Sequence, residues 1–189
     1  MTNTSKIEDL ARDKEYEAFK SAVGNEKDHT MMILRAHLYS ENLLDRIISS
    51  LLPRGDRIIE NGSLTYAQKV NLVDALDRLP DELISSLKNL NKIRNQCAHE
   101  LSKEITEADV TRIGSPLGKR FSEIKRKSEF NVSAILRRLI LSICAGIGGY
   151  AFQCEHGDAI PAEAEGQTQE PKTSRKRVKA LSSRKKPDA

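Results

Sequence analysis

The chain has 189 residues, of which 38% are hydrophobic, 31% charged and 4% aromatic, with no Trp and a formal net charge of +4. That length suits one domain with a sizeable core plus a tail, and an apolar share below the usual globular value implies that part of the chain does not join the core. So few aromatics argue against a binding surface built on stacking, and so mild a charge implies no partner by itself.

Residues 7–23 carry apolar or small side chains at Ile7, Leu10, Ala11, Ala18 and Val23, a weak amphipathic helix. Asp28 or Thr30 is positioned to cap a second helix that runs to about Leu52 and stops before Pro53. Its apolar face holds Ile33, Leu34, Leu38, Leu44, Ile47, Ile48 and Leu51. Residues 53–62 are expected to form a loop, with Gly55 and Gly62 as breakers. Ser63 or Thr65 opens a third helix over 67–79, with Val70, Val73, Ala75 and Leu76 inward. Pro80, then Asp81 and Glu82, open a fourth helix that reaches Leu101.

Beyond it, residues 106–113 read as a short helix starting at Thr106, residues 114–118 as a turn, and residues 119–127 as a charged helical stretch. The last long helix is expected over 128–152, with Phe130, Ile135, Leu139, Ile143 and Ile147 at helical spacing. Its apolar run, 139–152, is short for a bilayer and holds three glycines, so it reads as a core helix, with no membrane partner expected. From Cys154 the composition changes. An acidic stretch precedes a basic one, Lys172, Arg175, Lys176, Arg177, Lys179, Arg184, Lys185 and Lys186. With almost no apolar residues this segment cannot offset its ordering entropy, so 154–189 is expected to be a disordered tail whose basic end could meet nucleic acid. No strand pattern appears, so the expected fold is all-α: a bundle of about five helices over 1–153, followed by that tail. Cys97, Cys144 and Cys154 have no metal spacing, and residues 1–14 hold no apolar signal core, so reduced thiols and a cytoplasmic location are expected.

The most chemically loaded segment is Arg94-Asn95-Gln96-Cys97-Ala98-His99 near the end of the fourth helix. The apolar stripe Leu83, Leu87, Leu90 puts Arg94 in the next slot, where a guanidinium is costly unless paired. Glu41 on the second helix is the expected supporting carboxylate. Asn95 and His99, four apart, share one edge of the helix, and Arg94 lies roughly 140° around the axis from His99. Cleavage of RNA without a metal needs a base for the 2′-OH, an acid for the leaving oxygen and a cation on the phosphorane. Here His99 is the acid or base, Arg94 the cation and Asn95 the positioning amide. One chain supplies a single His in this motif, so a symmetric dimer would bring two His99 and two Arg94 into one cleft. The bland alternative is an Arg and an Asn bonding carbonyls at a helix end. His37, Glu41 and Asp45 also share a face and could be weighed as a metal site, but the simpler reading is a polar helix edge, so neither metal nor cofactor is expected.

The stretch LNKIRNQCAHE, with HLYSENLLDRII on the helix before it, resembles the HEPN superfamily (higher eukaryotes and prokaryotes nucleotide-binding) over residues 30–104. That family's motif is an Arg, a polar residue, a short spacer and a His, matched here by Arg94, Asn95 and His99. The resemblance implies a helical bundle, face-to-face homodimers and, in many members, metal-independent endoribonuclease activity in toxin–antitoxin pairs or phage defence. It would make Arg94 and His99 catalytic and Asn95 supporting, with RNA as substrate and an antitoxin or regulatory protein as a further partner. The same pattern also resembles the mannitol operon repressor family, which implies instead a non-catalytic regulatory or interaction module.

Overall fold

The computed structural model describes residues 26–62, 64–100 and 102–157, together with Glu17, Phe19 and Lys20. The basic segment at Lys172–Lys186 and most of the first expected helix lie outside the described residues. The described chain is all-α, with no strand. Its helices are α1 (His29–Leu51), α2 (Gly55–Glu60), α3 (Tyr66–Ala75), α4 (Asp81–His99), α5 (Glu107–Gly114), α6 (Lys119–Lys127) and α7 (Val132–His156), with a 3₁₀ turn at Ser115–Leu117 between α5 and α6.

Short polar residues set where the helices start. The Asp28 carboxylate accepts from the Thr30 and Met31 amides at 2.7 and 3.0 Å. Thr65 with Gln68, and Thr106 with Asp109, form reciprocal capping boxes, and Asn131 accepts from the Ala134 amide to open α7. Each satisfies amide donors that the first helical turn leaves open, worth about 1 kcal/mol per cap.

Four segments differ from expectation. Residues 53–62 are not all loop, because α2 forms there. Gly55 lets that turn lie directly against α1: a Cβ on it would sit 2.3 Å from the Ile48 carbonyl oxygen, so the glycine permits close approach rather than breaking a helix. The third helix stops at Ala75, ahead of Asp77 in the left-handed region at φ 51°. Pro80 is the N-cap of α4, whose last residue is His99. The final helix starts at Val132, four residues later than expected, since Glu129 and Phe130 both have positive φ. It runs on to His156, so the composition change at Cys154 falls inside the helix, not at its end.

Packing follows the helix faces. α1 buries Met32, Ile33, Ala36, Leu43, Leu44, Ile47 and Ile48, and α7 buries Ile135, Leu136, Leu139, Ile140, Ile143, Cys144, Ile147 and Ala151. Each large aliphatic side chain buried this way contributes about 1.5–3 kcal/mol before entropy is counted. At 25 residues α7 is longer than its most apolar run and long enough to cross a bilayer by length and composition. Half of its apolar window is buried within the bundle, as a core helix requires. α1 and α7 run parallel: His29 meets Ser133 near their starts at 2.6 Å, and Arg46 holds Glu155 near their ends through two bonds of 2.7 Å. α4 runs antiparallel to α1, so the end of α4 lies beside the start of α1.

Candidate active site

The inward slot on α4 after Leu90 is taken by Ile93, fully buried, and not by Arg94. A buried stripe can advance by three residues or by four, and here the three-residue step carries it. Arg94, about 100° further round, is half-buried, while Asn95 and His99 are exposed. Arg94 Nη1 donates to Asn95 Oδ1 at 3.3 Å. No ion pair joins Arg94 to a described carboxylate, and His99 makes no hydrogen bond to a described residue. The structure thus brings Arg94 and Asn95 together and leaves His99 one turn further on, at the last position of α4.

Glu41 does not support Arg94 through an ion pair. Its carboxylate accepts from Lys69 Nζ at 3.0 Å, and Asp45, one turn along α1, meets the same ammonium at 2.8 Å. Burial alone would lower the Lys69 pKa, but the bonds from Asp45 and Glu41 outweigh it and raise it above the ordinary lysine value. Lys69 therefore stays charged between the two carboxylates that share a helix face with His37, and an ammonium occupies the place a metal ion would take.

His37 turns away from this cluster. Its ring is buried, stacks on Tyr66 with centroids 3.9 Å apart, and shares a 3.1 Å hydrogen bond with Asn91. The acceptor there is the amide oxygen, so His37 Nε2 carries the proton, and the buried Nδ1 has no hydrogen-bond partner. Burial, followed by the Arg94 and Lys69 cations, holds the imidazole below its usual range against the opposing Asn91 bond and Glu41 charge. A second ring proton would enter a site with no acceptor. Ser40 donates to the His37 carbonyl at 2.9 Å, so the buried Tyr66 hydroxyl donates to Ser40, also at 2.9 Å. Asn91, Lys69, Tyr66 and Ser40 complete a polar seam that sequence reasoning missed. One signal was present: Lys69 lies four residues before Val73, on a face otherwise read as apolar.

At the end of the bundle the start of α1 and the end of α4 enclose an open groove of about 620 Å³. Lys27, His29 and Thr30 line one side, and Cys97, Glu100 and Lys103 the other. Thr30 Oγ1 donates to the Lys103 carbonyl at 3.4 Å, and Lys103 Nζ donates to Asp109 at 2.7 Å. Burial works against the Asp109 carboxylate, but the Lys103 and Thr106 bonds prevail and keep its pKa low. Cys97 packs against the core as a small hydrophobe, with its thiol pKa raised by that burial. His156, within the expected tail, lies instead in the last turn of α7 and stacks on Phe152 with centroids 4.2 Å apart.

Fold and site together define an all-α bundle that presents an arginine, an amide and a histidine at the open end of one helix. Neither family models, nor curated proteins, nor solved structures match this chain.

Proposed function

We propose that this protein is a metal-independent endoribonuclease of the HEPN type that acts as a dimer. The observation that carries the reading is the state of Arg94. Its guanidinium leans on a neutral amide at 3.3 Å with no carboxylate partner among the described residues, although Glu41 and Asp45 stand on the neighbouring helix and are both committed to Lys69. A guanidinium left unneutralised beside exposed Asn95 and His99 suits an anionic ligand such as a phosphodiester, which it can grip bidentately.

In this reading Arg94 binds the non-bridging phosphoryl oxygens and stabilises the charge that grows on them. Asn95 holds the guanidinium in orientation. One His99 removes the 2′-OH proton, and His99 of a second copy protonates the departing 5′ oxygen, leaving 2′,3′-cyclic phosphate and 5′-OH ends. Exposed Met31 and Leu38, seven residues apart on one face of α1, supply apolar surface for such a dimer. The biological setting in this reading is a toxin or phage-defence system, with the protein in the cytoplasm.

The test is cleavage of a mixed cellular RNA pool in EDTA by wild type and by His99→Ala. Cleavage by wild type alone, with cyclic phosphate ends, is the expected result. Cleavage that EDTA abolishes, or that survives His99→Ala, would sink the proposal. The second reading, a regulatory module related to the mannitol repressors, draws on the absence of a hydrogen bond between His99 and Arg94 within one chain. It expects a folded, dimeric wild type that cuts no RNA.

A further inference from the structure

Phe130 is the only aromatic side chain exposed among the described residues, and at 71% it is more open than Met31 or Leu38. Its placement costs free energy. Glu129 and Phe130 are consecutive non-glycine residues with φ of 50° and 58°, a left-handed conformation that costs roughly 1 kcal/mol or more per residue. The surroundings over-determine the turn. The Phe130 amide donates to the Lys125 carbonyl at 3.3 Å, the Glu129 amide to the Arg126 carbonyl at 3.2 Å, and the Asn131 amide to the Ser128 carbonyl at 2.9 Å. An apolar ring is thus fixed in water by a strained turn between α6 and α7, where a polar residue or glycine would be easier to keep.

The helix leading to it is basic. Residues 119–127 hold Lys119, Arg120, Lys125, Arg126 and Lys127, with Glu123 the one carboxylate. Two of these cations already have contacts: Arg120 donates to the Ser142 carbonyl at 3.3 Å, and Lys125 lies over the Phe121 ring at 5.0 Å. Lys119, Arg126 and Lys127 are exposed and make no ion pair with a described residue. Arg126 and Lys127 stand in the last turn, directly before Phe130. The turn also sits at the same end of the bundle as His99. Ser133, three residues after Phe130, bonds to His29 at the start of α1, and that start walls the groove closed by Cys97 and Glu100 on α4.

We infer that the α6–α7 turn is a docking platform for single-stranded RNA, with a base stacked on Phe130 and flanking phosphates held by Arg126 and Lys127. Stacking on one ring tolerates any base, and adjacent cations beside it hold the strand's phosphates whatever the sequence. A membrane would find only one apolar side chain to insert, with Glu129 beside it, whereas a nucleotide needs only one ring. The low aromatic content excludes a stacking surface of many rings but not this single one. The inference rests on the ribonuclease reading for its choice of RNA and extends it by naming where the strand lies.

The experiment measures binding of the full chain to a short 2′-O-methyl oligoribonucleotide, which cannot be cleaved at the 2′ position. Wild type is compared with Phe130→Gly and with Arg126→Gln/Lys127→Gln at two salt concentrations. Phe130→Gly relieves the left-handed strain, so it is expected to keep or raise Tm while weakening binding roughly tenfold. The double variant is expected to flatten the dependence of log affinity on log salt by about 0.7 for each lost phosphate contact. Residues 158–189 contain no aromatic, so loss of binding in Phe130→Gly cannot arise from the basic segment there. Unchanged affinity in a folded Phe130→Gly overturns the platform. So does a wild type that binds anionic lipid vesicles through Phe130 and not the oligonucleotide. Wild type that cleaves RNA while Phe130→Gly binds normally removes the platform and spares the ribonuclease. Phe130-dependent binding without His99-dependent cleavage does the reverse.

Discussion

Asn91 and Arg94 are three residues apart on α4, yet they belong to regions with opposite electrostatics. In the seam that Asn91 closes, the ammonium of Lys69 has two carboxylates, the His37 ring has Tyr66 and Asn91, and the Tyr66 hydroxyl has Ser40. At the end of the helix, Arg94 has a neutral amide, and His99 is exposed with no hydrogen bond to a described residue. The difference separates charge that the fold has already used from charge still available to a ligand. Burial drives it: an unpaired ion in the seam would lose most of its hydration with no return, whereas the half-buried guanidinium of Arg94 keeps part of its own.

The largest expected effect lies in the seam. Lys69→Met leaves two neighbouring, partly exposed carboxylates with no cation and should cost about 1–3 kcal/mol in urea unfolding. Replacing all three groups together, Lys69→Met with Glu41→Met and Asp45→Leu, should recover most of that loss, because the desolvation cost disappears with the charges. A single Lys69→Met variant as stable as wild type would show that the seam is solvated and would erase the contrast with Arg94.

A smaller effect concerns His37. Its pKa in the folded chain lies below the ordinary 6.5, so below that pH the unfolded chain binds more protons than the native one. His37 therefore contributes stability that is present above pH 6.5 and lost as pH falls from there through the lowered folded value. His37→Phe keeps a ring against Tyr66 and removes the titration. The unfolding free energy of wild type in urea should fall more steeply with acid than that of the variant, by up to about 1.4 kcal/mol per pH unit. Parallel pH profiles would mean that the ring accepts its second proton in place.

The smallest effect on folding is expected at the helix end. Asn95→Ala and His99→Ala remove exposed groups that support no described core contact, so their Tm values should match wild type. If the ribonuclease reading holds, cleavage falls by about 10²-fold or more in His99→Ala at the same time. A marked drop in Tm for His99→Ala would move that residue into the structural class and weaken the comparison from the other side.

The bundle was legible in the sequence where local chemistry decides local structure. Asp28, Thr65 and Thr106 cap helices that hydrophobic spacing alone would have placed, and the inward faces of α1 and α7 follow that spacing except at Leu38, which is exposed, and Phe130, which is exposed and precedes α7. Three features were not legible, each because the deciding contact is remote in the chain. Gly55 looks like a breaker until α1 is known to lie against it. Arg94 looks like a core position because spacing cannot choose between a three-residue and a four-residue step. Glu41 looks available to Arg94 because nothing local says that Lys69 will reach both it and Asp45. The candidate site was found by its residue types, and its state of charge pairing came only with the fold.

The parallel course of α1 and α7 has a consequence for how the chain is made. Two parallel helices cannot be joined by a short hairpin, and here the pair His29–Ser133 is separated by 104 positions. During synthesis, α1 leaves the ribosome well before the helix that will cover it. At typical translation speeds that interval is roughly 5–20 s. Throughout it, the oily side of α1 must be shielded by α3 and α4 or by a chaperone. The nascent chain is thus most exposed to aggregation before its last long helix emerges, and a ribosome stalled after α6 would hold the species most dependent on such help.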